Sequence, residues 1–280
     1  MSIITLTTDF GIKDYFVGAL KGAILSELPL VNIVEISHEI SPFNIPETAY
    51  IINNTYSYFP DNTVHIIGVD AEWNPTNKHV VVQLKNQYFI CADNGILSLL
   101  LKNNIPTQQY EIVISEQQKS IFPVLDIFVK VAIHIVNGGN LEAIGKPIYQ
   151  LNILAQTEAN IKENGNQIIG SVIYIDHFGN VVFNISKKQF DTVCKGRKYK
   201  ISAGSHKYKI EAIFEKYGDV VLHNELHVKK QLTDEGTALA VFNSAGFFQV
   251  SIYKSNLKSV GGASSLLGLK YGSSLIIDFI

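Results

Sequence analysis

Residues 6–22 read LTTDFGIKDYFVGALKG and join a predicted strand to a predicted helix. Residues 3–6 are apolar or β-branched, which is typical of a buried strand, and from Tyr15 onward apolar residues recur at helical spacing. Asp14 stands where a helix cap is expected, and Asp9 ends the strand. Ligands of open α/β sheets bind at the carboxyl ends of the strands. Asp9 and Asp14 are therefore candidate ligand-binding residues.

A simpler interpretation of this stretch stays open, in which Asp14 only caps the helix and Asp9 only forms a turn. Two carboxylates at one strand end suit a polyhydroxylated or cationic ligand, because a phosphate loop would carry glycines and a lysine here. The triplet Asp9-Phe10-Gly11 also occurs in protein kinases, but no glycine-rich loop or His-Arg-Asp motif accompanies it. We therefore interpret the kinase match as chance.

Length and composition favour a folded protein of one large or two ordinary domains. The chain has 280 residues, 46% of them hydrophobic, and a net charge of -2, which argues against nucleic acid as a partner. Two cysteines provide neither a disulfide framework nor a metal-binding pair. We expect no metal and no cofactor. Without an apolar run of about 18 residues or room for a signal peptide, the pattern predicts a cytoplasmic protein without membrane contact.

Residues 1–150 alternate strand and helix patterns, which predicts an α/β domain. The run at 64–69 is apolar almost throughout, as in a strand buried on both faces of a parallel sheet, and it delivers Asp70 to the same edge as Asp9. A hairpin is predicted from 80 to 91. The other predicted elements are a strand at 31–36, a weak strand near 112, and helices at 46–58, 96–101 and 126–136.

Residues 151–167 are polar and poorly periodic and form a predicted linker. From 168 to 280 the chain shows short strands separated by turns, which is typical of an all-β barrel or sandwich domain. The predicted strands are 168–175, 181–185, 199–201, 207–214, 220–222, 238–242, 247–252 and 274–279.

Several motifs along the chain, in this order and with these gaps, resemble the S-adenosylmethionine (SAM) hydroxide adenosyltransferases, which are SAM hydrolases related to the fluorinases and chlorinases. The motifs of the first domain are Thr8-Asp9-Phe10-Gly11 with Asp14, His38-Glu39-Ile40 with Pro42-Phe43, Tyr58-Phe59-Pro60, Asp70, Asp93-Asn94-Gly95, and Asp126-Ile127-Phe128 with His134. Those of the second domain are Asp176-His177-Phe178-Gly179-Asn180, Asn184-Ile185, and Asn243-Ser244 with Gly246.

The resemblance implies a Rossmann-like first domain, a β-barrel second domain, and a homotrimer with SAM between the first domain of one subunit and the second domain of its neighbour. It assigns substrate binding to Asp9, Asp14, Phe122, Asp176, Phe178, Asn180, Asn243 and Ser244. Asp9 would hold the ribose hydroxyls, and Asp14 and Asp176 would face the amino-acid end of SAM. These roles agree with the chemistry of the residues, since a sulfonium and an ammonium both favour nearby acids.

The family reaction is displacement at the ribose C5′ by water or halide, with methionine leaving. In the hydrolases it is assisted by an aspartate, an arginine seven residues later and a histidine just before the Asp-Ile-Phe segment. Here Asp70 is present, but the arginine position holds Asn77, followed by Lys78, and the histidine position holds Pro123. Lysine lacks the planar fork of arginine, and proline cannot shuttle a proton. Val124 stands where a fluorinase has a serine, so halogenation is not expected.

The sequence therefore predicts a SAM hydrolase of weak or altered activity, with Asp70 as the catalytic residue. The alternative is a catalytically inactive module that binds adenosine or SAM and serves as a sensor or partner protein. Losing acid–base groups costs roughly 10²–10⁴-fold in rate, which leaves slow turnover possible. His79 and His134 lie near the altered positions in sequence, and His134 is expected to be structural.

Overall fold

The computed structural model describes residues 2–101, 104–114, 119–155, 158–162, 164–203, 210, 212–221 and 236–280. The chain divides into two compact units, residues 1–155 (unit 1) and 156–280 (unit 2). The coarse prediction of an α/β part followed by a β-rich part is confirmed. Among the described residues, no helix has both the length and the apolar character needed to cross a membrane.

Unit 1 is built on a seven-stranded mixed sheet with the order β2-β1-β3-β5-β4-β6-β7. Its strands are β1 (Ile3–Thr8), β2 (Asn32–Ser37), β3 (Val64–Gly68), β4 (His79–Leu84), β5 (Gln87–Ala92), β6 (Gln108–Ile112) and β7 (Gly145–Pro147). Strands β2, β1, β3 and β5 are parallel, whereas β4, β6 and β7 continue the sheet in antiparallel pairs. The parallel half therefore brings the carboxyl ends of four strands to one edge.

Helices cover both faces of this sheet. They are α1 (Phe16–Glu27), α2 (Ile45–Asn53), α3 (Ile96–Leu101) and α4 (Val129–Val136), the last preceded directly by a π-helix, Val124–Phe128. Alternate residues of β3 enter two separate cores: Ile66 packs with α1 and α4, and Ile67 packs with α2 and α3. The prediction that this strand is buried on both faces is confirmed.

The predicted hairpin is also confirmed. Strands β4 and β5 pair antiparallel through a two-residue turn, Lys85-Asn86, and both residues have left-handed φ values of 49° and 61°. Such a turn matches the twist of paired strands, and asparagine tolerates the left-handed conformation better than most residues.

The end of unit 1 is tied back to the sheet by Asn152. Its backbone N–H donates to both carboxylate oxygens of Asp93 at 3.0 and 3.1 Å, and its side-chain amide donates to the carbonyl of Thr76 at 2.6 Å. Two residues later, the N–H of Leu154 donates to the hydroxyl of Ser98 at 3.0 Å. The first residues of the predicted linker are thus hydrogen-bonded within unit 1, and the division into units falls after Ala155.

Unit 2 contains one eight-stranded sheet whose main path is β11-β15-β9-β10-β14-β13-β12, with β8 paired to β9. Its strands are β8 (Asn160–Ile161), β9 (Gln167–Ile175), β10 (Val181–Ser186), β11 (Tyr199–Ala203), β12 (Ile213–Phe214), β13 (Ala238–Phe242), β14 (Phe247–Ile252) and β15 (Ser274–Phe279). All described pairs are antiparallel except β12 with β13. Phe183 and Phe248 lie fully buried in its main core.

Within the described part of unit 2, the structure has two complete helices that were not predicted, α5 (Lys187–Cys194) and α6 (Ala263–Leu267). Helix α5 begins with a capping box, in which Ser186 accepts from the N–H of Gln189 and the Gln189 side chain accepts from the N–H of Ser186. This Ser-x-x-Gln pattern is a sequence signal for a helix start.

One predicted strand of unit 2 is helical in the structure, and another lies partly outside the described residues. The strand at 220–222 is wrong where the structure describes it, because Val220 and Val221 are helical and Val220 packs on Leu239 of β13. A short apolar run does not by itself distinguish strand from helix. Of the predicted strand 207–214, residues 207–209 and 211 lie outside the described residues, as does residue 222.

Candidate functional site

Two carboxylates, Asp9 and Asp70, follow neighbouring parallel strands. Thr8 at the end of β1 pairs with Gly68 at the end of β3, so both aspartates leave the same edge of the sheet. The Oδ2 atom of Asp9 accepts a hydrogen bond from the backbone N–H of Phe43 at 2.9 Å. Burial raises the pKa of Asp9, and the negative charge of Asp70 acts in the same direction. The two predicted acids therefore lie at one edge of the sheet, and the charge of Asp70 acts on Asp9.

The backbone around Asp70 is held by side chains from other strands. Asp70 itself has a left-handed φ of 45°. The side-chain amide of Asn94, just after β5, donates to the carbonyls of Val69 and Asp70 at 3.1 Å each. The Nε2 atom of His79, in β4, donates to the carbonyl of Ala71 at 2.9 Å. The backbone at Asp70 is thus held by Asn94 and His79, neither of which was a predicted site residue.

Aromatic side chains cluster beside the carboxylates. The rings of Phe10, Phe16 and Phe122 contact one another with centroid separations of 5.4 to 5.6 Å, and Tyr15 lies 4.5 Å from Phe16. Phe10 directly follows Asp9, so the cluster borders the acidic edge. The π-helix begins two residues after Phe122, and π-helical turns are frequent at functional sites.

The predicted capping role of Asp14 is wrong. Helix α1 starts at Phe16, with Tyr15 in the N-cap position and no side-chain cap hydrogen bond. Asp14 stands one residue too early to reach the first amides of the helix, and its side chain is exposed. It forms no hydrogen bond or ion pair with any described residue. Its carboxylate remains on the loop that joins the acidic edge to α1.

The positions that depart from the hydrolase pattern are occupied by groups with other contacts. The backbone N–H of Asn77 donates to the side chain of Asn74 at 2.9 Å, which closes a tight turn. Lys78 donates to Oε2 of Glu111 at 3.1 Å and is directed to β6. Pro123 occupies the N-cap of the π-helix.

Three histidines of unit 1, His38, His79 and His134, have side-chain contacts within that unit. His134 donates to the carbonyl of Asn140 at 2.8 Å and its ring packs against Gly139, so its predicted structural role is confirmed. His38 lies after β2, and its Nδ1 is 2.7 Å from the hydroxyl of Thr8. Burial lowers the pKa values of His38 and His79, which favours their neutral forms.

In unit 2, a tight loop after β9 carries three predicted site residues. Oδ1 of Asp176 accepts from the N–H groups of Phe178 and Asn180, both at 2.9 Å, and Oδ2 accepts from the Asn180 side chain at 2.8 Å. Gly179 has a φ of 74° and lies against Gly262, where a side chain would not fit. The carboxylate organises the loop, and Phe178 is left 62% exposed at its tip.

The other two predicted residues of unit 2, Asn243 and Ser244, lie between β13 and β14. The Asn243 amide donates to Oε1 of Gln249 at 3.1 Å, and Gln249 donates to the hydroxyl of Tyr217 at 2.7 Å. Burial raises the pKa of Tyr217, the hydrogen bond from Gln249 lowers it, and the nearby charge of Asp176 raises it. Asn243, Gln249 and Tyr217 thus form one hydrogen-bonded network, and sequence reasoning did not select Tyr217 and Gln249. Ser244 is exposed.

Ligands of open α/β sheets bind at the carboxyl ends of the strands, where this chain places two carboxylates bordered by aromatic rings. Comparison with known families specifies the class. The SAM hydroxide adenosyltransferase N-terminal domain matches residues 4–145, and the C-terminal domain of the same family matches residues 170–276. The chain belongs to the SAM hydroxide adenosyltransferase family.

Individual relatives cover nearly the whole chain. An (R)-S-adenosyl-L-methionine hydrolase of Methanocaldococcus jannaschii is 30% identical, over 97% of this chain and 94% of its own. A fluorinase of Nocardia brasiliensis is 26% identical, over 92% and 94%. Among solved structures, an uncharacterized conserved protein from Thermotoga maritima has a TM-score of 0.80 at 27% identity, over 99% of this chain and 100% of its own.

Proposed function

We propose that this protein hydrolyses SAM at the ribose C5′ to give adenosine and methionine, at a rate reduced by the missing arginine and histidine. The observation that carries the proposal is the Asp9 and Asp70 pair at the carboxyl edge of β1 and β3, in a chain of this family. Carboxylates at this edge suit both a ribose diol and a cationic sulfonium.

The two acids have different tasks in this proposal. Asp9, oriented by the amide of Phe43, accepts hydrogen bonds from the ribose hydroxyls. Asp70 accepts a hydrogen bond from the attacking water and aligns its oxygen with C5′. The new C–O bond forms as the C–S bond breaks, the bond electrons neutralise the sulfonium, and the water loses one proton to solvent. Alignment and exclusion of bulk water supply most of the acceleration, because methionine is already a good leaving group.

In this proposal, further ligand contacts come from the aromatic cluster of unit 1 and, by the family resemblance, from unit 2 of a neighbouring subunit. Phe10, Phe16 and Phe122 offer an apolar wall that excludes water beside the acids. Following the family resemblance, Asp14 and Asp176 serve the amino-acid end of SAM, and Phe178, Asn180, Asn243 and Ser244 bind the rest of the ligand. The hydrogen bonds that Asp176 accepts from Phe178 and Asn180 hold together the loop that carries these two residues.

A second function, binding without turnover, is favoured by one specific observation. Lys78, the cation next to the arginine position, is paired with Glu111, and Pro123 at the histidine position has no ionisable group. A sensor or partner protein that binds adenosine or SAM needs neither group.

Hydrolysis in ¹⁸O-labelled water separates the two functions. Purified protein is incubated with SAM, adenosine is isolated by chromatography, and its ¹⁸O content is determined by mass spectrometry. We expect adenosine labelled at its 5′ oxygen, formed much more slowly but still measurably in Asp70→Asn, and formed at an unchanged rate in Asp191→Asn, a matched change of an exposed acid in α5. Binding of SAM without labelled adenosine above the buffer control would favour the binding module.

The finer assignments are part of the same proposal. We class unit 1 as Rossmann-like, because its parallel strands carry helices on both faces, and unit 2 as a β-barrel domain by resemblance. The homotrimer, the cytoplasmic location and the absence of a nucleic-acid partner stay predictions. Light scattering at micromolar concentration tests the trimer, and a monomer would contradict it.

A further inference from the structure

Three consecutive backbone carbonyls just after β3 accept hydrogen bonds from side chains in β4 and just after β5. Asn94 donates to Val69 and Asp70, and His79 donates to Ala71. Both donors are themselves fixed. The Asn94 side-chain oxygen accepts from the N–H of Ile96 at 3.3 Å at the start of α3, and His79 is fully buried.

The hydrogen bond to Ala71 determines the tautomer of His79. A carbonyl oxygen can only accept, so the ring proton lies on Nε2 and Nδ1 carries a lone pair. Nδ1 is buried and has no partner among the described residues. The ring also meets Phe128 edge-on at a centroid distance of 4.9 Å, which fixes its plane. His79 is therefore a rigid, neutral donor aimed at the backbone next to Asp70.

Asp70 requires such support because its φ of 45° is left-handed. Aspartate adopts this conformation less readily than glycine, and it persists only where the surroundings hold it. The residues that follow, Ala71-Glu72-Trp73-Asn74, contain no glycine that would relieve the turn. The bonds from Asn94 and His79 are the described contacts that hold this backbone.

We propose that His79 and Asn94 are positioning residues that act through Asp70, holding its carboxylate in the orientation that aligns the attacking water. This inference rests on the proposed hydrolysis. It assigns a use to a buried histidine that touches no substrate in the proposed mechanism.

Steady-state kinetics of two variants test the inference against a matched control. His79→Phe keeps a buried ring but loses the donor, and Asn94→Asp keeps the oxygen at the start of α3 but loses the amide donor. We expect kcat to fall about 10- to 100-fold in each, with KM little changed, because misplacing a reacting group costs rate rather than binding. His79→Gln, which restores a donor, should recover part of the rate. The control is His65→Phe, which should retain kcat. His65 is a buried histidine of β3 whose ring is hydrogen-bonded to Thr5 and Gln87.

A double-mutant cycle distinguishes positioning from general destabilisation. In an Asp70→Asn background, His79→Phe should cause no further loss of residual turnover, because its effect passes through the lost carboxylate. An equal loss in both backgrounds, or an equal loss in His65→Phe, would overturn the inference. If His79→Phe does not fold, Asn94→Asp gives the same comparison.

Hydrogen exchange provides a readout that does not depend on turnover. If wild type yields no adenosine, the proposed hydrolysis fails, yet backbone amides of residues 70–73 should still exchange faster in His79→Phe than in His65→Phe. Unchanged exchange in that segment would refute the positioning role itself.

Discussion

Acidification should destabilise unit 1 through His65, a buried histidine of β3. Its Nδ1 lies 2.7 Å from the hydroxyl of Thr5, and its Nε2 donates to Gln87 at 3.2 Å, so the neutral ring is fully bonded. Burial lowers the pKa of His65 from 6.5 to about 4, and the bond to Gln87 opposes the shift only in part. Because the folded-state pKa lies below the unfolded value, the unfolded chain binds the proton more readily. Stability is complete above pH 6.5 and is lost as the pH falls toward 4.

The size of this effect follows from the pKa shift. At about 1.4 kcal/mol per pH unit, the whole shift corresponds to roughly 3 kcal/mol of unfolding free energy, of which about 2.5 kcal/mol is lost between pH 7.5 and 4.5. Urea unfolding followed by the fluorescence of Trp73, the one tryptophan of the chain, reports on unit 1. His65→Gln should lack this part of the pH dependence.

The comparison with the variant isolates His65 from the other titrating groups. Burial raises the pKa values of Asp9 and Asp93, which opposes acid destabilisation, and His38 and His79 act in the same direction as His65. All four groups are present in both proteins and cancel in the difference. Parallel pH profiles for wild type and His65→Gln would refute the reasoning.

Three further predictions concern the site. Asp9→Ala should weaken adenosine binding by about 10- to 100-fold, since a charge-assisted hydrogen bond contributes roughly 1.5–3 kcal/mol; calorimetry showing equal affinity would contradict this role. Gly68→Ala should lower the unfolding free energy by about 1–3 kcal/mol, because the new Cβ would lie 2.8 Å from the side chain of Val124 in the π-helix. Urea unfolding measures this loss, and an unchanged unfolding midpoint would contradict the prediction. Asn77→Arg combined with Pro123→His should raise the rate of adenosine formation, measured by chromatography, if both groups reach the proposed site; a rate equal to that of wild type would show that they do not.

The elements with a clear period could be predicted from the sequence. Strand β3 and helix α3 are both runs of residues that are apolar almost throughout. Lys85-Asn86 has the composition of a two-residue turn. Asp14 failed as a cap because α1 begins later than its apolar spacing suggests, at Phe16. Boundaries of one or two residues depend on local backbone geometry, which periodicity does not specify.

The acids of the candidate site were predictable, but their support was not. Asp9 and Asp70 follow from the rule that parallel strands deliver their carboxyl ends to one edge. The contacts of Asn94 and His79 depend on β5 lying between β3 and β4, which places the end of β5 and the start of β4 beside Asp70. Hydrophobic pattern predicts that each strand exists, whereas strand order comes from tertiary packing.

The hydrogen bonds of Asn152 set a minimum length for unit 1 as an expressed fragment. The family's N-terminal domain match stops at residue 145, before Asn152 is reached. A fragment cut there would lack Leu154, which packs against Gly95 just before α3. It would also lack the backbone N–H of Asn152 that donates to the Asp93 carboxylate. On the ribosome, the same bonds can form only after residue 154 has left the exit tunnel. Recombinant versions of the first unit should therefore extend through Ala155.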